Sequence, residues 1–427
     1  MQVNTIENIA IMKISIKHRR SFLVLFAITA IVCLLSQCIT NNGAKSNSLS
    51  APVFEEYAGA EKCVTCHKDI YEQYVKTSHH FTSMPANEKS INGNFEKDKN
   101  IFSYGNQLKV AMEKRDSGFY QTVYVNNEEK MAMRFDMVIG SGKIGQSYLS
   151  RQQNFYYQMP VSHFTAAGQW ANSPGFPNNK IVTDRPITAR CLECHATYAQ
   201  GEGGTAMEPA GFNAVKMILG VACEKCHGPA AMHVEYQAKH PEEKKARFVV
   251  NPAALNRLQQ LEGCALCHGG KMRKTKPSFS YTPGQNLYAF FLKNVVYKET
   301  IQNDEVEVHG NQYGLLQASK CFKSSSVMTC NTCHNTHQNQ RGNLALFSSR
   351  CITCHNTNAE VFKTVTHNTV KSIEQNCINC HMPVKASNAI AIYMEGEDKP
   401  RASLLRSHYI GIYPDEVLKF INSAKKP

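Results

Sequence analysis

Apolar and polar side chains alternate over residues 106–138, and this is the clearest periodic pattern in the chain. Asn126, Asn127 and Glu128 interrupt the alternation, and residues of these types favour a hairpin turn. A two-residue period is typical of strands that are buried on one face. The pattern predicts a small antiparallel β insert at about 100–140, with strands in these segments: 106–113, 118–125 and 130–138.

Helical patterns elsewhere are short. Ile70, Tyr71, Tyr74 and Val75 recur at the spacing of one helical face. A last helix is predicted over 414–424, because proline is favoured at the first position of a helix and Pro414 stands there. We therefore expect short helices that are joined by extensive loops.

The N-terminus carries the pattern of an export signal. Basic residues at 13, 17, 19 and 20 precede an apolar stretch over 22–35, which is short for a membrane-spanning helix. Cys38 follows, and then a polar segment, as in a lipoprotein signal, although Gln37 stands where a small residue is expected. We expect a signal peptide over 1–38 and lipid attachment at Cys38. A soluble exported protein and a retained anchor helix are the alternatives.

Composition adds one unusual feature, which is 17 cysteines in a chain of 427 residues. The chain is too long for a small disulfide scaffold, and its single tryptophan and lack of a long apolar run argue against several membrane spans. A formal net charge of +13 raises the question of nucleic acid or acidic lipid as a partner.

Fourteen of the cysteines form seven motifs of one kind, Cys-x-x-Cys-His, numbered here first to seventh in chain order. Two thiols three residues apart lie on one side of a helical turn, where they can form thioethers with the two vinyl groups of a haem. The following histidine can then bind the iron. The cysteines are Cys63, Cys66, Cys191, Cys194, Cys223, Cys226, Cys264, Cys267, Cys330, Cys333, Cys351, Cys354, Cys377 and Cys380. The proximal histidines are His67, His195, His227, His268, His334, His355 and His381.

Seven covalent haems c are the cofactors that these motifs predict. Zinc sites use paired cysteines but do not require a histidine after every second one, and a thioredoxin-type motif would occur once. Haem propionates would offset most of the basic excess, so nucleic acid is not expected as a partner. Cys321 has no motif, and a buried thiol is its simplest interpretation.

Each iron needs a sixth ligand, and nine histidines after residue 38 lie outside the motifs. We favour His80 over the adjacent His79, and expect His163 and His240 to be ordinary side chains. The expected distal ligands are His80, His233, His309, His337, His367 and His408. Six candidates for seven irons leave two alternatives: another side chain supplies the seventh ligand, or one iron is open.

The first motif and its continuation, Cys-Val-Thr-Cys-His-Lys-Asp-Ile-Tyr-Glu-Gln-Tyr and then Ser-His-His at 78–80, resemble the cytochrome c-552/4 domain family. The third motif with Gly-Pro and His233, the fifth with His337 and the seventh with Met-Pro add to this resemblance. It implies bis-histidine haems that are stacked as an electron-transfer chain. The family also includes enzymes that act on small nitrogen or sulfur oxyanions. In pentahaem nitrite reductases one motif ends in lysine, whereas every motif here ends in histidine.

The expected fold is mainly α with extensive loops around seven haems, plus the small β insert. The expected function is an exported electron relay with redox protein partners, either quinol-linked proteins or other cytochromes, located in the periplasm or on a membrane through the lipid anchor. A multihaem oxidoreductase of a small oxyanion is the alternative. The expected segments are the signal peptide at 1–38, a flexible linker at 39–54, a first haem unit at 55–90, the cysteine-free β insert and loops at 91–185, a middle group of three haems at 186–300, and a C-terminal group of three haems with a tail at 301–427.

Overall fold

The alternating segments form strands, and further strands occur throughout the chain. The computed structural model describes residues 51–105, 107–203, 208–292, 307, 309–355 and 375–424. In these ranges the strands are β1 (Ser83–Pro85), β2 (Ile101–Ser103), β3 (Leu108–Arg115), β4 (Gly118–Val125), β5 (Glu128–Arg134), β6 (Met137–Ile139), β7 (Gly145–Gln152), β8 (Phe155–Gln158), β9 (Val161–Phe164), β10 (Gln169–Asn172), β11 (Arg185–Pro186), β12 (Ala196–Glu202), β13 (Gly211–Leu219), β14 (Val384–Ile392) and β15 (Arg401–Arg406).

The predicted insert is a four-stranded antiparallel sheet in the order β2-β3-β4-β5. Strand β4 has the predicted bounds, and β3 begins and ends two residues later than predicted. Asn126 and Asn127 connect β4 to β5, and both have positive φ angles, 53° and 66°. Asparagine adopts this left-handed conformation more readily than most residues, which explains the tight turn at this position.

A larger sheet of seven strands follows, in which β1, β6, β7, β8 and β11 are neighbours in that order, while β9 pairs with both β7 and β10. The two sheets share a core around Tyr148 and Trp170, with Val110 and Met112 from β3 also fully buried. Strand β1 comes from the segment directly after the first motif, so this sheet is joined to the first motif.

The helices are short. In the described ranges they are α1 (Ala60–Cys63), α2 (Lys68–Tyr74), α3 (Ala189–His195), α4 (Cys223–His227), α5 (Ala231–Lys239), α6 (Arg257–His268), α7 (Gln312–Ala318), α8 (Lys320–Ser324), α9 (Leu344–Ile352), α10 (Cys377–His381) and α11 (Pro414–Ala424). The last has the bounds that Pro414 predicted. Most motifs lie in or at the end of one of these helices, because a Cys-x-x-Cys-His motif needs only a single turn.

The expectation of a mainly α fold with one small β insert was wrong. Helix and strand are present in similar proportions, 28% and 27%. Two further antiparallel pairs lie outside the insert: β12 with β13, between the second and third motifs, and β14 with β15, after the seventh. Because the motif helices are only about one turn long, most of the backbone between motifs needs other hydrogen-bond partners. Paired strands provide these partners.

Residues 51–427 form one compact unit. Among the described residues, no helix combines the length and the apolar character that a membrane crossing requires. The predicted signal peptide, Cys38 and His367 all lie outside the described residues, as does most of the predicted linker.

Candidate haem sites

The seven motifs lie close to one another through their cysteines. None of the fifteen cysteines of the described ranges forms a disulfide. Four pairs of thiols from different motifs lie close enough to shift each other's pKa. They bring the first motif next to the third, the second and the fifth next to the fourth, and the sixth next to the seventh. These pairs are Cys63 with Cys223, Cys194 with Cys267, Cys264 with Cys330, and Cys351 with Cys377.

One interior cavity of about 1990 Å³ is lined by both cysteines and the histidine of each of the first four motifs, and by His334 of the fifth. Five histidines outside the motifs line the same cavity: His79, His163, His233, His309 and His337. A cavity that is bordered by paired thiols and imidazoles has the donor set that covalent haem needs. The residues present therefore fit the cofactor that the motifs predict.

Several histidines are oriented by a hydrogen bond at Nδ1. This nitrogen lies 2.9 Å from the Val250 carbonyl oxygen in His227, and 2.8 Å from the Arg247 carbonyl oxygen in His233. His381 makes the same contact with a backbone carbonyl at 2.7 Å. A carbonyl only accepts hydrogen bonds, so Nδ1 carries the proton and Nε2 keeps its lone pair for a metal.

Three motif histidines each face a histidine from outside the motifs. A bond from a metal to imidazole is about 2 Å long, so two imidazoles on opposite sides of one iron have ring centres about 6 Å apart. The centre-to-centre distances match this value: 6.4 Å for His79 and His268, 6.1 Å for His227 and His337, and 6.2 Å for His334 and His408.

Burial keeps two of these imidazoles neutral. It lowers the pKa of His79 to about 4, with a further contribution from His268. It also lowers the pKa of His408 to about 4, helped by His334. Only the neutral form of histidine can bind a metal, so both side chains are available as ligands near neutral pH.

The position of His79 is set by backbone contacts with the end of β13. The His79 carbonyl accepts hydrogen bonds from the Val221 amide at 2.9 Å and from the Thr82 hydroxyl at 2.9 Å. Gly220 has a φ angle of +70°, and a Cβ there would lie 2.5 Å from the His80 carbonyl oxygen. Glycine is therefore needed for this close approach.

The other candidate ligands differ in their surroundings. His80, which we preferred from the sequence, packs edge-on against Tyr74 and Phe81. His309 lies close enough to His195 to lower its pKa, although burial is the larger cause. His163 is buried beside Trp170, with ring centres 5.9 Å apart.

His240, by contrast, packs against Tyr236 and lies near Glu242 at the surface. The sequence interpretation of His240 as an ordinary side chain suits these surroundings. Cys321 is partly buried, and burial raises the pKa of its thiol.

Comparison with known proteins agrees with the motifs. Residues 151–228, which contain the second and third motifs, match the family of cytochrome c554 and c-prime. This match supports the multihaem cytochrome c family for the chain. That family implies covalently bound haem c as the cofactor and electron transfer as the function. The resemblance that the motifs indicated is confirmed.

The fold of this chain is similar to a solved structure, that of the outer cell wall cytochrome OcwA. The TM-score is 0.50 at 17% sequence identity, and the similarity covers 85% of this chain and 81% of that one. The search of curated proteins found no match.

The second motif of the cytochrome contains a buried carboxylate that is surrounded by cations. Glu193 is 1% exposed and accepts hydrogen bonds from Lys274 at 2.6 Å and from Arg190 at 2.9 Å. Burial would raise the pKa of Glu193, but Lys274, Arg190 and Lys225 together hold it below its usual value. Arg190 also donates to the Leu266 carbonyl of the fourth motif at 2.9 Å, so this cluster joins two motifs.

The third motif contains a second buried carboxylate with a different kind of partner. Glu224 is 3% exposed and accepts hydrogen bonds from three backbone amides, those of Ala58, Gly59 and Ala230, at 2.8 to 2.9 Å. These amides satisfy the carboxylate but carry no net charge. Neither carboxylate could be recognised from the sequence beyond the presence of glutamate inside a motif.

Proposed function

We propose that this cytochrome is an exported heptahaem protein that relays electrons along a chain of mostly bis-histidine haems. The seven Cys-x-x-Cys-His motifs supply the count of covalent haems. Haem iron supplies the one-electron chemistry, and the polypeptide supplies the axial ligands, the burial and the charges that set each reduction potential.

The observation that carries this proposal is the pairing of motif histidines with histidines from elsewhere at 6.1 to 6.4 Å. An iron with two imidazole ligands has no free position for a substrate, so such haems transfer electrons rather than transform a bound molecule. We propose three axial pairs on this basis: His79 with His268, His227 with His337, and His334 with His408.

Two further pairs follow from position. His309 lies near His195 and lines the same cavity, and we propose it as the ligand opposite His195. His233 lines the cavity with His67 and has Nδ1 bound to a carbonyl, so we propose it as the ligand opposite His67. His355 and His381 would hold the remaining two irons, for which His367 is a proposed ligand from the sequence.

Contacts between motifs support a continuous relay. The thiol pairs join the first motif to the third, the second to the fourth, the fourth to the fifth and the sixth to the seventh. His337, which follows the fifth motif, faces His227 of the third. Phe347 of α9, the helix that leads into the sixth motif, packs on His334 of the fifth with ring centres 5.2 Å apart. Every motif therefore has a neighbour through which electrons can continue.

Export is proposed from the N-terminal signal pattern, and the lipid anchor from Cys38. Haem c attachment takes place outside the cytoplasmic membrane, which agrees with an export signal. The solved structure with a similar fold is described as an outer cell wall cytochrome. A location in the periplasm or on a membrane surface, with redox proteins as partners, follows from this proposal.

The test combines an intact mass with an EPR spectrum of the oxidised holoprotein. We expect the mass to exceed that of the polypeptide by seven haems, and the EPR spectrum to be dominated by low-spin ferric iron. A lower haem count would contradict the heptahaem proposal. A strong high-spin signal, together with multi-turnover reduction of nitrite, hydroxylamine or tetrathionate, would instead identify an oxidoreductase with an open haem.

A further inference from the structure

Two thiol junctions in the interior carry opposite charge. The acidic junction consists of Cys63, Cys223 and Glu224, and the carboxylate of Glu224 lies close enough to act electrostatically on both thiols. Glu61 acts on Cys63 as well. The backbone amides that bind Glu224 leave its full negative charge in place.

The basic junction consists of Cys194 and Cys267 with the charged cluster around Glu193. Arg190 and Lys225 act electrostatically on both thiols. Lys274 has a fully buried side chain and lies 4.4 Å from the ring centre of Phe291. Three cations face one carboxylate here, so the cluster keeps a net positive charge in the interior.

The third motif contributes residues to both junctions. Its two middle residues are Glu224 and Lys225, and they act in different directions. Glu224 binds the backbone of residues 58 and 59 beside the first motif, whereas Lys225 lies 4.8 Å from the ring centre of Phe279 in the basic junction. Consecutive residues on a helical turn point about 100° apart, so one turn can serve both sides.

We propose that these fixed charges create a step in reduction potential, so that electrons move from the acidic junction to the basic junction. The inference rests on the proposed electron relay and adds its direction. The haem on the first motif would have the lowest potential of the five that share the cavity, the haems on the second and fourth motifs the highest, and the haem on the third an intermediate one.

The physical reason is the charge that reduction adds. When an electron moves from one iron to another, the first is oxidised, the second is reduced, and no bond forms or breaks. A buried negative charge stabilises the oxidised iron beside it, and a buried positive charge stabilises the reduced iron. Such effects are strong in a protein interior because its effective dielectric constant is low.

The test measures the reduction potentials of the full holoprotein by spectroelectrochemical titration in two variants, Glu224→Gln and Lys225→Gln. Each replaces a charge with an amide of similar length. We expect Glu224→Gln to raise the lowest midpoint potentials and to leave the highest unchanged. We expect Lys225→Gln to lower the highest and to leave the lowest unchanged. Both variants would narrow the range of midpoint potentials, Glu224→Gln by raising its lower limit and Lys225→Gln by lowering its upper limit.

The matched control is Lys216→Gln, which removes a cation from the half-exposed ion pair with Glu55. It should leave every midpoint potential in place. A shift in the opposite direction, a uniform shift of all haems, or no shift in either variant would overturn the proposal. If the Glu224→Gln variant fails to take up its haems, the shift of the highest midpoint potentials in Lys225→Gln tests the proposal by itself. The haem count and the EPR spectrum of the unaltered protein test the relay itself, so the two failures can be told apart.

Discussion

His79 and His80 are neighbours in the chain, but their side chains have different surroundings. His79 lies 6.4 Å from His268, centre to centre, whereas His80 packs between Tyr74 and Phe81, and both side chains are half-buried. The sequence favoured His80 because Met84 follows it one helical turn later. Two adjacent histidines do not themselves indicate which one faces inward. The decisive contact, between the His79 carbonyl and the Val221 amide at the end of β13, joins distant parts of the chain.

His79→Ala should convert one haem from low-spin to high-spin iron, because it would remove one of the two proposed axial ligands. His80→Ala is the matched control and should leave the spectrum unchanged. EPR of the oxidised protein, quantified per haem, measures the change. A high-spin signal from His80→Ala alone would show that the sequence preference for His80 was right.

Among the elements, the helix of the seventh motif depends on a strand for its stability. A helix of five residues such as α10 is too short to be stable by itself. Arg406 of β15 donates hydrogen bonds to the carbonyls of Ile378 and Met382 at 2.8 and 2.7 Å, and to the Asn379 side chain at 3.0 Å. The strand therefore fixes the turn that presents His381.

Arg406→Met should lower the free energy of unfolding by about 1–3 kcal/mol, because it removes three hydrogen bonds to partly buried oxygen atoms of the seventh motif. Chemical denaturation, followed by the haem absorbance, measures this change. The control is Arg401→Met on the same strand, which removes an exposed ion pair with Glu397 and should change stability by less than about 1 kcal/mol. Equal effects of the two substitutions would contradict the role of Arg406.

The elements also show what the sequence could and could not predict. The alternation around Asn126 and the position of Pro414 are local signals, and the structure contains β4 and α11 with the predicted bounds. Strand β12 follows directly after His195, and its register with β13 shifts twice, so its alternation is broken. Pairing of this kind depends on the partner strand more than on local pattern. The motif residues could be identified from their spacing alone. The buried charge cluster around Glu193 could not, because it includes Lys274, which lies far away in the chain.

For the whole molecule, the anchor proposed at Cys38 predicts where the protein is found in the cell. Cys38→Ala should move the cytochrome from the membrane fraction to the soluble exported fraction, because no acyl chain can then be attached. Cell fractionation with detection of covalent haem measures the distribution. Cys33→Ala is the control, because this cysteine lies inside the apolar stretch that is expected to be removed with the signal. Unchanged membrane association of Cys38→Ala would contradict acylation.

The proposed axial pairs have a consequence for the order of assembly. His268 faces His79, which is made earlier, but His227 faces His337 and His334 faces His408, which are made later. During synthesis and export, which proceed from the N-terminus, the third and fifth haems would therefore hold only one histidine until the last segments emerge. The hairpin of β14 and β15 leads directly to His408. With these proposed pairs, the last segments of the chain would complete centres whose haems are held by motifs made earlier. The irons of an unfinished chain would then have an open position that the finished protein closes.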